Sequence, residues 1–267
     1  MPTYNDGQYL RHAIDSILGQ TFTDFEFIIV NDGSTDDTEE IISSYSDPRI
    51  KHLKNRQNTG NTNARNRGME AAVGKYIAIM DSDDVSVLNR FEVQFNYLEK
   101  HPEIGILGGS KIFFDEQEWY KRYYPKDPEY IKSFLFFKNA VGQPTVMLLR
   151  EILKTHNLFY NPDYENGEDF DLWYRAAMAG VKIANLDEVM LYYRQSESQM
   201  SHPSNHGLRP EFVKTYFKEK LANLDIILND EDFIKLHDFI RGRVEMISSV
   251  SSVEPSLTII NSKSVKV

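Results

Sequence analysis

The sequence predicts an α/β protein with a Rossmann-like mixed sheet flanked by helices. Three observations carry that prediction. Short, nearly all-apolar runs alternate with helical patterns from the first residue to about Asp84. Two of those runs break abruptly into acidic turns, at Asn31-Asp32-Gly33 and at Asp81-Ser82-Asp83-Asp84. The chain has 267 residues, of which 41% are hydrophobic, enough for one large domain with a sizeable core.

Each element has its own signature. Leu10, Ala13, Ile14, Ile17 and Leu18 recur at helical spacing, Asn5-Asp6 can cap the start, and Gly19 stands where a helix stops. Residues 25–30 have the composition of a strand buried on both faces. Ser34 followed by Asp37 predicts a capping box for a helix through Ile41-Ile42. Residues 50–53 read as a weaker strand, 62–73 as a helix stopped by Gly74, and 76–80 as the next buried strand. Strands and helices alternating in this way predict a parallel sheet covered on both faces.

The second half is mixed. Leu88, Phe91, Phe95 and Leu98 mark a helix ending before Pro102, and β-like stretches follow at 104–114 and 119–124. A helix near 129–138, a strand at 145–149, a helix at 168–179 closed by Gly180 and a strand at 189–193 complete the pattern. Residues 211–247 predict two amphipathic helices with Leu221, Leu224, Ile227 and Leu228 on one face, and 248–267 a flexible tail. The expected organisation is one domain over 1–205, its halves meeting near residue 110, then the helices over 206–247 and the tail.

Composition excludes several function classes. Forty acidic against thirty basic residues give a net charge of −10, the opposite of what a nucleic-acid-binding protein needs. No apolar run approaches the ~20 residues of a membrane span, and no basic segment leads into an apolar one as in a secretory signal. With zero cysteines there are no disulfides, thiolate metal sites or cysteine nucleophiles. Any metal must be held by oxygen or imidazole.

Asp81-Ser82-Asp83-Asp84 is the strongest chemical signal. Ligands of open α/β sheets lie beyond the carboxyl ends of the strands, so these side chains project into the natural crevice. Three acids in four residues repel unless a cation neutralises them, and such oxygen-rich sites suit Mg²⁺ or Mn²⁺ with substrate phosphates completing the shell. A solvated acidic turn is the plain alternative. Asp32 faces the same rim. Between the two acidic turns, residues 58–68 form a polar, glycine-containing loop that opens a helix, where free amides and the dipole favour an anion. Lys51, Lys54, Arg56, Arg65 and Arg67 make that stretch basic within an acidic protein. Glu168, Asp169 and Asp171 occupy a first helical turn, where acids are ordinary, yet one of them at the crevice entrance is a candidate general base.

These segments carry a resemblance. Pro2-Thr3-Tyr4-Asn5, Asn31-Asp32-Gly33-Ser34, Asn63-Ala64-Arg65-Asn66, Asp81-Ser82-Asp83-Asp84 and Glu168-Asp169 occur in an order similar to that of the family 2 inverting glycosyltransferases of GT-A fold, over residues 1 to about 200. The resemblance implies that Thr3, Tyr4, Asn5 and Asp32 hold the nucleotide, Arg65 its base or diphosphate, and Asp81 its ribose or the metal. Asp83 would bind the Mn²⁺ or Mg²⁺ that bridges the diphosphate, and Asp169 would be the catalytic base. Glu168, Trp173 and Arg194 would lie on the acceptor side, although packing explains Trp173 equally well. The implied reaction moves a sugar from a nucleotide-diphospho-sugar, expected to be a UDP-sugar, to a saccharide or lipid-linked saccharide with inversion. It also implies a cytoplasmic protein that visits the inner membrane face. The C-terminal helices are a candidate dimer or membrane contact. The Gln-any-any-Arg-Trp motif of processive synthases is absent from the sequence, which favours transfer of single sugars.

Two departures stand out. The family fold carries an apolar strand before the Pro-Thr-Tyr-Asn turn, lying between the strands expected at 25–30 and 76–80. Here Met1-Pro2 opens the sequence, so that first strand is missing and each orphaned backbone group costs about 1–3 kcal/mol. The expectation is a truncated chain or a start that lies upstream, with Met1 internal. Some relatives also place a metal-binding histidine after the Tyr-Arg strand, where this chain has Gln195 and Ser196; His202 and His206 are the nearest substitutes. Competing readings are a non-catalytic or truncated nucleotide-sugar-binding module, and a sugar-1-phosphate nucleotidylyltransferase, whose Gly-rich loop with Arg and Lys is not visible. A phosphatase with an aspartyl nucleophile would place its Asp pair on the first strand.

Overall fold

The structure, a computed structural model, describes residues 1–115, 119–136, 138–164 and 167–195, together with Lys220, Asn229, Glu231, Asp232 and Lys235. The helices and tail expected beyond residue 205, and His202 and His206, lie outside the described residues except at those five positions.

Two sheets organise the chain. The first is parallel and three-stranded, in the order β1 (Pro2–Thr3), β2 (Phe27–Asn31), β3 (Ile50–Lys54). Its helices are α1 (Gly7–Leu18), α2 (Thr38–Ser43) and α3 (Asn61–Ala71). α1 buries Leu10, Ala13, Ile14 and Ile17, the stripe that the helical spacing predicts. All five residues of β2 are buried, as its apolar composition requires. The expected side-chain caps do not form at either helix. The Asp6 carboxylate accepts from the Ser82 hydroxyl instead, and the Thr38 N–H donates to Asp36, not to Ser34. Ser34 accepts from the Asn5 N–H at 3.0 Å, which ties the turn after β2 to the turn after β1.

The second sheet has six strands and is mixed, as expected of the second half; the strand expected at 76–80 joins it and not the parallel sheet of β1 to β3. β4 (Tyr76–Ala78) is followed by β5 (Val85–Ser86), α4 (Arg90–Lys100), β6 (Ile104–Phe114) and β7 (Trp119–Arg122). Then come α5 (Pro128–Phe134), β8 (Met147–Leu149), α6 (Glu151–Thr155), α7 (Glu168–Met178) and β9 (Lys182–Arg194). The strand order is β4-β8-β6-β9-β5, with β7 added to β6. Only β6 and β9 run parallel; β4–β8, β6–β8, β6–β7 and β5–β9 are antiparallel. β9 is longer than the sequence predicts because its first half, interrupted by Asn185, Asp187 and Glu188, does not read as apolar. β8 is shorter because Thr145, in a 3₁₀ turn (Gln143–Thr145), bonds back to the Gly142 carbonyl through both its N–H and its hydroxyl. α6 has no clear sequence signal.

Two apolar clusters hold the layers. One joins α1, β2 and α4 to β6 through Leu10, Ile14, Ile29, Leu98 and Leu107. The other packs α5, α6 and α7 against β6 and β8, with Trp173 at its centre. The aromatic stretch of 113–124 packs mainly on itself and on β9: Phe113 stacks on Tyr120 at 4.9 Å and Trp119 lies edge-on to Tyr192 at 5.9 Å. Among the described residues no strand pairing links β4 to β1 or β2, so the two sheets meet without hydrogen-bonding across the position where the family's first strand was expected.

Candidate active site

The tip of β4 concentrates negative charge. Asp84 is fully buried; its Oδ1 accepts from the Arg194 backbone N–H at 2.9 Å, while its Oδ2 has no hydrogen-bond partner. Burial, then repulsion from Asp83 and Asp81, pushes its carboxyl well above the usual carboxylate range, against the pull of Lys111. Asp6, beside Ser82, is also raised by burial. Arg194 Nε donates to the Asp83 carbonyl at 2.9 Å, and its guanidinium lies over the Tyr9 and Phe114 rings at 4.3 and 4.7 Å. Arg194, expected on the acceptor side, thus buttresses the acidic turn.

A buried arginine joins this tip to the start of α7. Arg65, on α3, donates to Asp81 Oδ1 at 2.7 Å and to Glu168 Oε1 at 2.9 Å, with the Tyr160 ring 5.8 Å from the guanidinium. Burial opposes its charge, but Asp81, Tyr160 and Glu168 more than compensate, and its pKa rises. Asn66 anchors the same helix from the next position: its amide donates to the Tyr160 carbonyl at 2.8 Å and accepts from the Tyr160 N–H at 2.9 Å.

α7 begins at Gly167, whose φ of 90° is a left-handed conformation that glycine adopts cheaply. Glu168 is buried, and burial raises its pKa although Arg65 pulls the other way. Half-buried Asp169 accepts from the Asn139 amide at 2.7 Å and from the Phe170 N–H at 2.7 Å. Its pKa is raised, with burial the main cause and those two hydrogen bonds opposing it. Trp173 takes the packing place that the sequence equally allows: it is 0% exposed and packs edge-on to Tyr160 at 6.3 Å, so it supports this wall from behind.

The opposite wall comes from β1 and β2. The Thr3 hydroxyl is buried without a hydrogen-bond partner, and Tyr4 next to it is 43% exposed. Asn5 takes a positive φ of 53°, and its amide oxygen accepts from the Thr35 N–H at 2.8 Å. Asp32 is buried and holds the following loop: it accepts from the N–H and hydroxyl of Thr59, the N–H of Gly60 and the amide of Asn55. Gly33 makes that approach possible. Its φ is +75°, and a Cβ there would fall 2.6 Å from the Gln57 backbone.

The structure thus brings Asp81, Arg65, Glu168 and Asp169 along one connected path, and Thr3, Tyr4, Asn5 and Asp32 along the neighbouring rim. Sequence reading missed Asn139 and Lys111. An isolated Asn or Lys in a strand or loop carries no pattern of its own, so only contact identifies it. Among the described residues no group of three or more Asp, Glu or His side chains is arranged to hold a metal by itself. The donor set fits a hard divalent cation that shares its shell with ligand oxygens, because Asp81 and Asp83 crowd beside the unsatisfied Asp84 carboxylate. No helix of the described residues is long and apolar enough to cross a membrane.

Comparison with known proteins agrees with this geometry. Glycosyl transferase family 2 matches residues 1–156. A glycosyltransferase of Methanocaldococcus jannaschii is 35% identical over 230 residues, covering 82% of this chain and 79% of its own. The Escherichia coli protein WfgD, named a UDP-Glc:alpha-D-GlcNAc-diphosphoundecaprenol beta-1,3-glucosyltransferase, is 30% identical over 86% of this chain and 89% of its own. Among solved structures, TarS of Staphylococcus aureus in complex with UDP-GlcNAc superposes with a TM-score of 0.67 at 21% identity, over 88% of this chain and 68% of that one. The fold is GT-A. The chain belongs to glycosyl transferase family 2 and is a glycosyltransferase, which sets aside the nucleotidylyltransferase, phosphatase and binding-module readings.

Proposed function

We propose that this family 2 glycosyltransferase transfers a hexose from a UDP-sugar to a hydroxyl of a saccharide, with lipid-linked saccharides as the preferred acceptors, and inverts the anomeric carbon. The observation that carries the reading is the path Asp81–Arg65–Glu168 followed by Asp169. It ties a crowded acidic strand tip to the helix start that carries a half-buried carboxylate. The donor specificity and acceptor class draw support from the glucosyltransferase named above and from the nucleotide-sugar complex of similar fold.

The residues divide the work. Tyr4 offers an exposed ring to the base, and Thr3 offers a buried hydroxyl with no partner of its own. Asp83, with Asp81, would hold Mn²⁺ or Mg²⁺, which as a Lewis acid stabilises the charge on the departing diphosphate. Asp169 accepts the acceptor hydroxyl's proton as that oxygen attacks; burial raises its pKa and so improves its match to this task. Asn139 fixes one of its oxygens, which leaves lone pairs on the carboxylate for the acceptor. Glu168 keeps Arg65 in place between the walls. One base and direct displacement imply inversion, by the same logic that separates inverting from retaining hydrolases.

The test is transfer from a panel of UDP-hexoses, with Mn²⁺, to saccharides carried on a lipid diphosphate, with the new linkage read by NMR. Formation of a β-linkage from an α-configured donor is the expected result. A retained α-linkage, or activity confined to donors other than UDP-sugars, overturns the reading.

A further inference from the structure

We propose that Lys111 is a specificity-determining residue for the donor sugar: its ammonium donates a hydrogen bond to a hydroxyl of the hexose being transferred. The inference rests on the reading of function given above and names the side chain that meets the ring.

Two buried cations stand near the acidic groups of the site, and they differ in what they hold. Arg65 is committed: it bonds Asp81 at 2.7 Å and Glu168 at 2.9 Å. Lys111, on β6, is only 7% exposed, yet among the described residues its ammonium makes no hydrogen bond and no ion pair. It rests on aromatic faces, 3.6 Å from the centroid of the Tyr193 ring and 4.7 Å from that of Phe113. Rings attract the charge but leave the ammonium's N–H donors unused. The register of the sheet adds to the cost. Arg122, exposed on β7, stands directly opposite Lys111, and like charges placed opposite one another destabilise a sheet. A buried ammonium with unused donors, beside a second cation, breaks the ordinary rules of a sheet interior, and such breaches gather at functional sites.

Strand order shows what this ammonium faces. Along β6-β9-β5, Phe113 pairs with Tyr193 and Tyr192 pairs with Val85. Continued by one residue, the antiparallel register sets Asp84 opposite Tyr193, the residue whose ring carries the ammonium. The bond from the Arg194 N–H to Asp84 holds that alignment. The start of α7 feels the same charge: Lys111 pulls down the raised carboxyl of Asp169 as it does that of Asp84. Lys111 thus acts on the acidic tip and on the base at once. In an inverting displacement the diphosphate leaves one face of the anomeric carbon while the acceptor hydroxyl enters at the other. The transferred ring therefore lies between the group that holds the diphosphate and the group that takes the proton, and Lys111 reaches towards both. A hexose supplies what the fold withholds from this ammonium, namely hydroxyl oxygens that accept.

Calorimetry tests this without an acceptor and without turnover, so failure of the inference is separate from failure of transfer in the panel above. The parent, Lys111→Met and Lys111→Arg are titrated in Mn²⁺ with UDP, with UDP-glucose and with each monodeoxy form of UDP-glucose. Met covers the same aromatic faces, and an apolar side chain of similar volume is tolerated where a charge was buried, so the variant should keep the parental Tm. In Lys111→Met, UDP affinity should stay close to parental while UDP-glucose affinity falls by about 10–100-fold, the worth of a hydrogen bond to a charged group. One deoxy form should bind the parent as weakly as UDP-glucose binds Lys111→Met, and should lose nothing further in that variant. Lys111→Arg keeps the charge but changes its reach, so it should retain UDP affinity and lose part of the preference for that hydroxyl. Equal losses for UDP and UDP-glucose, or no loss for either, would overturn the inference. A parent that binds every deoxy form as tightly as UDP-glucose would overturn it as well.

Discussion

The two acidic groups of the crevice differ in how their charge is met. At the start of α7 each carboxylate has a partner: Glu168 faces Arg65, and Asp169 is held by Asn139 and the Phe170 N–H. At the tip of β4, Asp81 has Arg65, but Asp84 keeps an unsatisfied buried oxygen and is raised first by burial and then by repulsion from Asp83 and Asp81. A carboxylate held by neutral donors and raised by burial is suited to take a proton. A crowd of carboxylates with too little positive charge is suited to take a cation. Sequence composition alone does not separate the two, because both are acidic turns at the ends of regular elements.

The sharpest way to break that contrast is Asp169→Asn, which keeps the shape and removes the base. Transfer kcat should fall by about 10²–10⁴, while UDP affinity measured by calorimetry stays close to that of the parent. A variant with near-parental kcat would move the base elsewhere.

Arg65→Met probes what links the two groups. It leaves Asp81 and Glu168 facing each other without the buried cation, and losing one partner of a buried pair costs about 3–5 kcal/mol. Urea unfolding should show that loss, and adding Glu168→Gln should restore part of it. A null effect would mean that Arg65 is not what holds the two walls together.

The smallest effect is the most specific. Asn139→Leu removes a hydrogen bond that favours ionised Asp169. Since the base works only when deprotonated, the acid limb of the pH–rate profile should move to higher pH. A uniform fall in kcat with an unmoved limb would assign Asn139 a packing role only.

Much of the donor half was legible from sequence, for a physical reason. α1, β2, β3 and α3 are local patterns, and the two acidic turns fall at strand ends, where chain direction alone aims them at the crevice. The caps were not legible, because Asp6 and Ser34 find partners far away in sequence, Ser82 and Asn5. The partners of Trp173 and Arg194 were not legible for a related reason. A Trp on a helix gives no sign of which neighbour covers it, and Arg194 is claimed by the Asp83 carbonyl across the sheet. A mixed sheet was legible, but which strands pair antiparallel was not, because pairings are set by partners and not by local composition.

The most direct measurement of the central claim is calorimetric titration with UDP, in Mn²⁺ and in EDTA, of the parent and of Asp83→Ala. The account predicts that EDTA weakens parental binding by about 10–100-fold, and that Asp83→Ala binds weakly in either condition. Equal affinity with and without the metal, together with an Asp83→Ala variant that binds like the parent, would contradict it.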